Sequence, residues 1–301
     1  MKLTISPAPH IKSPETTRGI MSAVILALLP AGAWGVIKFG VHSLYVAAVS
    51  VAGCVFFEFV SQKFIFKKKV SVGDRSAVLT GLLMAYCMAP DMPLWQVLVG
   101  SFFAIFIAKA CFGGIGFNVF NPALVGRAVL AASFPTAMTA WQIDGITRAT
   151  PLAILKEKLA VTMPSHFELF LGNIPGSIGE VSKLFLLVGA AYLFVRKIIS
   201  WHIPFTYIAA VFVLSIFFGR DPLFEVLAGG VILGAFFMAT DYVTSPLYAR
   251  GKIIFGFGCG LLTVLIRNLG SYPEGVCYSI LLMNILVPLI DRHTRPRVFG
   301  T

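Results

Sequence analysis

Ten apolar stretches divide this chain of 301 residues and leave room for little besides a membrane fold. They run roughly over 19–37, 41–62, 76–90, 94–112, 121–134, 180–196, 200–218, 222–240, 253–269 and 275–291. A helix needs about 17 to 25 mainly apolar residues to cross the hydrocarbon layer, and most of the ten supply that length. No water is available there to bond a bare backbone, so each stretch is expected to be helical, with its N–H and C=O groups paired internally. The third and fifth are short and bordered by Gly, Pro or Asn, which predicts tilted, broken or partly spanning helices. With 57% hydrophobic and 12% charged residues and a mean hydropathy of +0.87, an ordinary soluble enzyme is excluded. The fold class expected is an all-α integral membrane protein of about ten transmembrane helices.

The net charge of +11 would suggest nucleic acid for a soluble protein. Here the basic residues cluster in short loops between apolar runs, where they meet anionic lipid head groups and set topology. No basic-aromatic surface module is visible, so nucleic acid is not an expected partner. Basic residues resist translocation. With the N-terminus in the cytoplasm, that side receives fifteen of them: Lys2, Lys12, Arg18, Lys63, Lys67, Lys68, Lys69, Arg75, Arg196, Lys197, Arg250, Lys252, Arg292, Arg295 and Arg297. The other side receives seven: Lys38, Arg148, Lys156, Lys158, Lys183, Arg220 and Arg267. Lys109 and Arg127 fall in or near spans and stay unassigned. This predicts cytoplasmic termini and an outer-face location for residues 135–179. The polar opening MKLTISPAPHIKSPETTRG has no apolar signal-peptide core before the first span, so no cleavage is expected. Cys54, Cys87, Cys111, Cys259 and Cys277 form no CxxC and sit in or beside apolar segments. They read as buried small hydrophobes, not as disulfides or metal ligands.

An internal repeat organises the spans. Residues 80–91, TGLLMAYCMAPD, can be laid on 230–241, GVILGAFFMATD, sharing Met-Ala-x-Asp at the ends of the third and eighth stretches. Pro122-Ala123-Leu124-Val125-Gly126 and Pro273-Glu274-Gly275 likewise open the fifth and tenth. Two units of five spans must be inverted relative to each other, because an odd number of crossings reverses the second copy. The domain reading is a single polytopic unit, 1–301, with 1–134 as first repeat, 135–179 as external loop region and 180–301 as second repeat.

The longest hydrophilic interval centres on Asp144-Gly145-Ile146-Thr147-Arg148-Ala149-Thr150-Pro151. Thr150 is a good N-cap and Pro151 is suited to the first helical position, so a short amphipathic helix is expected from there. The same geometry would welcome a phosphate carried on the Thr150 hydroxyl, with Arg148 nearby. Gly113 to Ala123, GGIGFNVFNPA, lacks the strand that a dinucleotide fingerprint needs. It reads as a close-packed turn, or as a site where Asn118 and Asn121 meet a buried polar ring. Acidic residues near the membrane are few: Glu58, Asp91, Glu225, Asp241, Glu274 and Asp291, mostly near span ends where they can reach water. Asp241 is the foremost candidate for an ion path or cofactor contact, with Glu58 second. No HExxH, Walker loop or nucleophile elbow is present, so a hydrolase or metalloenzyme gains no support and no metal site is expected.

The ordered set GGIGFNVFNPA (113–123), TRATPL (147–152), GNIPGSIGE (172–180), MATDYVTSP (238–246) and PEGVCYSILLMNILVPLID (273–291) resembles the D subunits of Rnf complexes. These are ion-translocating ferredoxin:NAD⁺ oxidoreductases. More distantly, the set is similar to the B subunits of sodium-translocating NADH:quinone reductases. The resemblance covers almost the whole chain. It implies FMN joined by a phosphoester to the last threonine of a Ser/Thr-x-Ala-Thr motif, which Thr147-Arg148-Ala149-Thr150 matches residue for residue. Thr150 would then be the covalent flavin carrier, Arg148 its neighbour, and a flavin transferase using FAD a partner in maturation. The chain would be a flavoprotein and, through the ester, a phosphoprotein. The quinone reductase relative further implies a noncovalent riboflavin at the glycine-rich turn, with Gly116, Asn118 and Asn121 as its matching residues. The implied activity is an electron relay between reduced ferredoxin and NAD⁺, coupled to Na⁺ or H⁺ export. No catalysis is expected of the chain alone. Its partners would be the other Rnf subunits and the lipid of a bacterial inner membrane, with the flavin-bearing loop on the outer face. The family's fold resembles a urea-transporter-like five-plus-five inverted repeat. Two other classes compete: a small-solute transporter or channel of the same architecture, and a scaffold whose flavin site is idle.

Overall fold

The computed structural model describes residues 15–67, 70–143, 146–147, 149–157, 163–270 and 272–296. Helix α1 (Thr17–Phe39) starts at Thr16, whose hydroxyl accepts the Gly19 N–H at 3.1 Å. After Gly40 the chain turns back into α2 (Val41–Ile65), whose last turn is π-helical. There follow α3 (Ser76–Tyr86), α4 (Leu94–Ala110) and α5 (Pro122–Ser133). Short pieces then come in succession: α6 (Pro135–Met138), the paired strands β1 (Gln142–Ile143) and β2 (Ile146–Thr147), α7 (Pro151–Glu157) and α8 (His166–Leu171). The second half holds α9 (Lys183–Val195), α10 (His202–Phe217), α11 (Pro222–Leu227), α12 (Val231–Leu233, running into a π-helical turn over Gly234–Met238), α13 (Ala249–Leu269) and α14 (Val276–Thr294).

Of these, α1, α2, α13 and α14 are each long and apolar enough to cross a membrane, and five shorter apolar helices accompany them. The protein is a multi-pass, essentially all-helical membrane protein. Large apolar side chains such as Leu26, Ile37, Phe56, Val195, Phe217 and Leu289 lie exposed, as a chain surrounded by lipid allows. Small residues let the helices close on one another. A Cβ on Gly81 would sit 2.7 Å from the Val51 Cα, and the Gly81 carbonyl accepts the Ser50 hydroxyl at 2.7 Å, which locks α3 to α2.

Two stretches are interrupted: 76–90, for which a tilted, broken or partly spanning helix is expected, and 222–240, expected as one span. The stretch 76–90 stops at Tyr86, and the carbonyls freed there are taken up from elsewhere: Tyr86 O by the Gly179 N–H at 3.1 Å, Cys87 O by Arg127 Nε at 3.1 Å, Met88 O by the Ile178 N–H at 3.2 Å. The stretch 222–240 is not the unbroken span its sequence predicts: α11 ends at Leu227 and α12 begins at Val231. Gly229, at φ +66, turns the chain there. Arg267 donates to Ala228 O at 3.0 Å and Lys183 to Gly229 O at 3.0 Å, while the Gly230 N–H donates to Glu274 at 2.9 Å. Irregular backbone at this depth persists because protein groups satisfy it.

The packing is reciprocal between halves. Helix α1 lies on α9, α2 on α4, α10 on α13 and α5 on α14. The N-cap of α5, Asn121, offers its backbone N–H to Asn284 of α14 at 3.2 Å. Glu274, just before α14, pairs with Arg127 of α5. Each start therefore meets the middle of the other, so the two helices run antiparallel.

Candidate functional site

Thr150 behaves as its sequence predicts: its hydroxyl accepts the Ala153 N–H at 3.2 Å and its carbonyl the Ile154 N–H at 2.9 Å, opening α7. Leu152 and Ile154 are buried, and Leu152 packs in a cluster with Leu169, Ile174, Val181, Phe224 and Leu227. Lys156 Nζ donates to Gly270 O and Tyr272 O, each at 2.6 Å, and moors α7 to the end of α13. Partial burial and the charge of Arg220 lower the Lys156 pKa. On the neighbouring loop His166 meets Asp221 at 2.6 Å, tying α8 to the start of α11. Burial works against the Asp221 charge, but the His166 bond and the Phe224 and Leu223 amides outweigh it and lower its pKa. Arg148, Asp144 and Gly145 lie outside the described residues.

Half-buried Thr150 stands at a cleft of about 410 Å³, whose walls include Pro151, Ile174, Ser177, Glu180, Lys183, Gly229 and Glu274. Beneath it lies a layer of buried charge. Arg267, 1% exposed, bonds Glu225 at 2.7 Å; Arg220 reaches the other Glu225 oxygen at 2.9 Å. Lys183, also 1% exposed, donates to the Glu180 carbonyl as well as to Gly229. By sequence, Lys183 and Arg267 count as loop charges and Glu225 as an acid near water; all three are in fact buried, because they serve the helix break. Glu180 closes the GNIPGSIGE motif, but the sequence assigns no role to it and reads Lys183 only as a loop charge.

A second cleft, of about 790 Å³, opens between the starts of α1, α3 and α5 and the segment after α12. Asn118, Asn121, Lys109, Thr240 and Asp241 line it. Three of the residues singled out in the sequence, Asn118, Asn121 and Asp241, are thus brought together; Gly116, at φ +90, belongs to the adjoining turn but not to the wall. Asn121 is fully engaged: its Oδ1 caps α5 at Ala123 and Leu124, and its Nδ2 donates to Met238 O at 3.2 Å. Asn118 makes a lighter bond, Nδ2 to Phe120 O at 3.1 Å. Asp241 accepts the Thr244 hydroxyl at 3.1 Å.

Glu58 is 3% exposed, not at a watery helix end as expected. It pairs with Lys109 at 2.6 Å, and Lys109 also donates to Ser76 at 2.6 Å. The other Glu58 oxygen has no partner among the described residues, and Glu58 lines a further pocket with Ser61, Gln62, Ser71 and Gly113. All five cysteines are free; four are buried as expected, but Cys111 is exposed, since α4 ends just before it in the glycine-rich turn.

Fold and clefts define a class: a polytopic membrane protein with a polar, charge-lined cleft among the helix starts of each half. The chain belongs to the NQR2, RnfD, RnfE family, which it matches over residues 4–300. It is 48% identical over 306 residues to the D subunit of the Na⁺-translocating ferredoxin:NAD⁺ oxidoreductase complex of Acetobacterium woodii, covering 100% of this chain and 96% of that one. It is 47% identical to the D subunit of the proton-translocating ferredoxin:NAD⁺ oxidoreductase complex of Clostridium ljungdahlii, covering 99% and 96%. With the D subunit of the ion-translocating oxidoreductase complex of Stutzerimonas stutzeri the identity is 39%, covering 93% and 91%.

Proposed function

We propose that this chain is the flavin-carrying membrane subunit of an ion-translocating ferredoxin:NAD⁺ oxidoreductase complex, relaying electrons within it while the complex exports Na⁺ or H⁺. The relatives named above speak for this reading and lend nothing to the solute-transporter alternative. One observation carries the flavin assignment: Thr150, last residue of the Thr-x-Ala-Thr motif, stands half-buried at the mouth of a cleft lined by Ser177, Glu180 and Lys183. The residues fit such a group. The Thr150 hydroxyl is at the rim, Lys183 and Ser177 offer donors inside, and Gly229 brings bare backbone to the wall, where a Cβ would collide with Leu152 at 2.7 Å. FMN esterified there would supply one-electron redox chemistry, while the chain fixes its position and surroundings. Arg148 is the proposed neighbour of the phosphate. In the second cleft a noncovalent riboflavin has Asn118 as its better partner, because Asn121 is committed to backbone.

The architecture proposed with this reading is a five-plus-five inverted repeat of ten segments, urea-transporter-like. Antiparallel α5 and α14 exchange partners, α1 meets α9, and a broken third segment recurs in each half, as a two-fold relation requires. With both termini cytoplasmic, Thr150 faces outward and the Asn118 cleft inward. Glu58 and Asp241, near that inner cleft, are the proposed ion-path residues.

In-gel flavin fluorescence of denatured protein, co-expressed with the flavin transferase, tests the assignment. The wild type is expected to fluoresce and Thr150→Ala to be dark. A dark wild type beside a second, fluorescent substrate of the transferase overturns it.

A further inference from the structure

Glu180 and Glu274 reach the outer cleft from separate loops and converge on the bare Cα of the helix break. A Cβ on Gly230 would lie 2.6 Å from Glu180 Oε1 and 3.1 Å from Glu274 Oε1. Both carboxyls line the same cleft and face the same bare backbone, and two carboxylates this close resist joint ionisation. Glu274 is the ionised member, held by Arg127 and by the Gly230 N–H. Burial raises the Glu180 pKa, and the Glu274 charge adds to it against Arg127 and Lys183. Burial pushes Glu274 the same way, but Arg127 outweighs it and lowers the pKa of that group.

Every element packed on the pair contributes a facing group: Arg127 from α5, Lys183 from α9 and Arg267 from α13, with the thiols of Cys87 and Cys277 beside them. Arg267 is paired with Glu225, which Arg220 also engages. Two cations, Arg127 and Lys183, act directly on the Glu180 carboxyl. An added negative charge in the cleft tips the pair toward holding one proton.

We propose that the Glu180–Glu274 pair is the proton-accepting site of the outer cleft, taking up one proton from the outer water when an electron enters the cleft while the pair is unprotonated. This rests on the flavin reading of Thr150. The electron comes from the one-electron carriers that reduced ferredoxin feeds. An O–H bond forms on Glu180 as hydronium in the outer water loses its proton, so the charge of the cleft stays constant. Departure of the electron reverses both transfers. Lys183, bonded to two carbonyls, is a positioning residue that keeps the unprotonated pair tolerable.

Redox-difference infrared spectroscopy of the whole purified complex tests this, with in-gel fluorescence run on the same samples. On reduction with dithionite in mildly alkaline buffer, the wild type is expected to gain a protonated-carboxyl C=O band. In mildly acidic buffer, where the pair already holds its proton, the gain is lost. Glu180→Gln abolishes the gain while fluorescence remains; Glu180→Asp keeps it at a shifted frequency, which assigns the band even if the Gln variant does not assemble. A fluorescent wild type with no gain in alkaline buffer, or a gain that Glu180→Gln and Glu180→Asp leave untouched, overturns the proposal. A dark wild type instead overturns the flavin reading beneath it.

Discussion

Arg267 shows what a single side chain does here. Its guanidinium takes one oxygen of Glu225, the Glu225 carbonyl and the Ala228 carbonyl, so it neutralises a buried acid and closes the gap between α11 and α12. Replacing it with Met would leave Glu225 with Arg220 alone and orphan the Ala228 carbonyl. Removing one partner of a buried pair costs about 3–5 kcal/mol. Arg267→Met is expected to lower sharply the temperature at which the detergent-solubilised protein loses its monodisperse elution peak; an unchanged temperature would show that the pair contributes nothing. Lys is expected to rescue poorly, since it lacks the planar fork. This role is not legible in the chain, because Arg267 and its partners stand far apart in sequence and a loop tally treats each charge as solvated. The signal that could have found the layer is Arg127, unassigned inside a span, where a charge defaults to a paired and functional reading. Thr150, by contrast, is legible because a cap is written in adjacent residues.

Elements divide in the same way. The long helices are legible, since an apolar run of about 20 residues has few other fates in a bilayer. The break in 76–90 is signalled by Pro90, whereas that in 222–240 is not: its Gly229-Gly230 pair resembles the small-residue contacts found throughout the chain, and only Lys183, Arg267 and Glu274 decide that the backbone opens there. Gly81 is the contrasting case, a glycine kept for closeness. With its absent Cβ 2.7 Å from the Val51 Cα, a side chain must push α3 off α2. Overpacking of this kind costs about 1–3 kcal/mol, so Gly81→Val is expected to lower thermal stability measurably. Gly73→Ala, where nothing lies within 4 Å, is the control expected to change little. Equal stability of the two variants would mean that α2 and α3 are not in intimate contact.

At the scale of the molecule, the proposed inverted repeat puts the two clefts in equivalent places. One gathers the starts of α1 and α5, the other the start of α9 and the residues opening α14. A two-fold axis in the membrane plane would carry one onto the other and set them on opposite faces, so an electron path between them would cross the bilayer. Orientation is then the property on which the mechanism turns, and its proposed sense rests on the positive-inside count, from whose outer seven the buried Lys183 and Arg267 drop out. Native cysteines offer a direct test. Cys54, Cys87, Cys259 and Cys277 are buried, and Cys111 alone is exposed, at the end of α4 on the inner-cleft side. Phe167, 69% exposed on α8, belongs to the Thr150 side. In sealed right-side-out vesicles a membrane-impermeant maleimide is expected to label Phe167→Cys on a Cys111→Ser background and to leave wild-type Cys111 untouched until the membrane is opened. Inverted vesicles should give the opposite pattern. If Cys111 reacts from the outside while the Phe167→Cys thiol does not, the chain is inserted the other way, and the Thr150 cleft with its buried carboxyl pair would draw its proton from the cytoplasm.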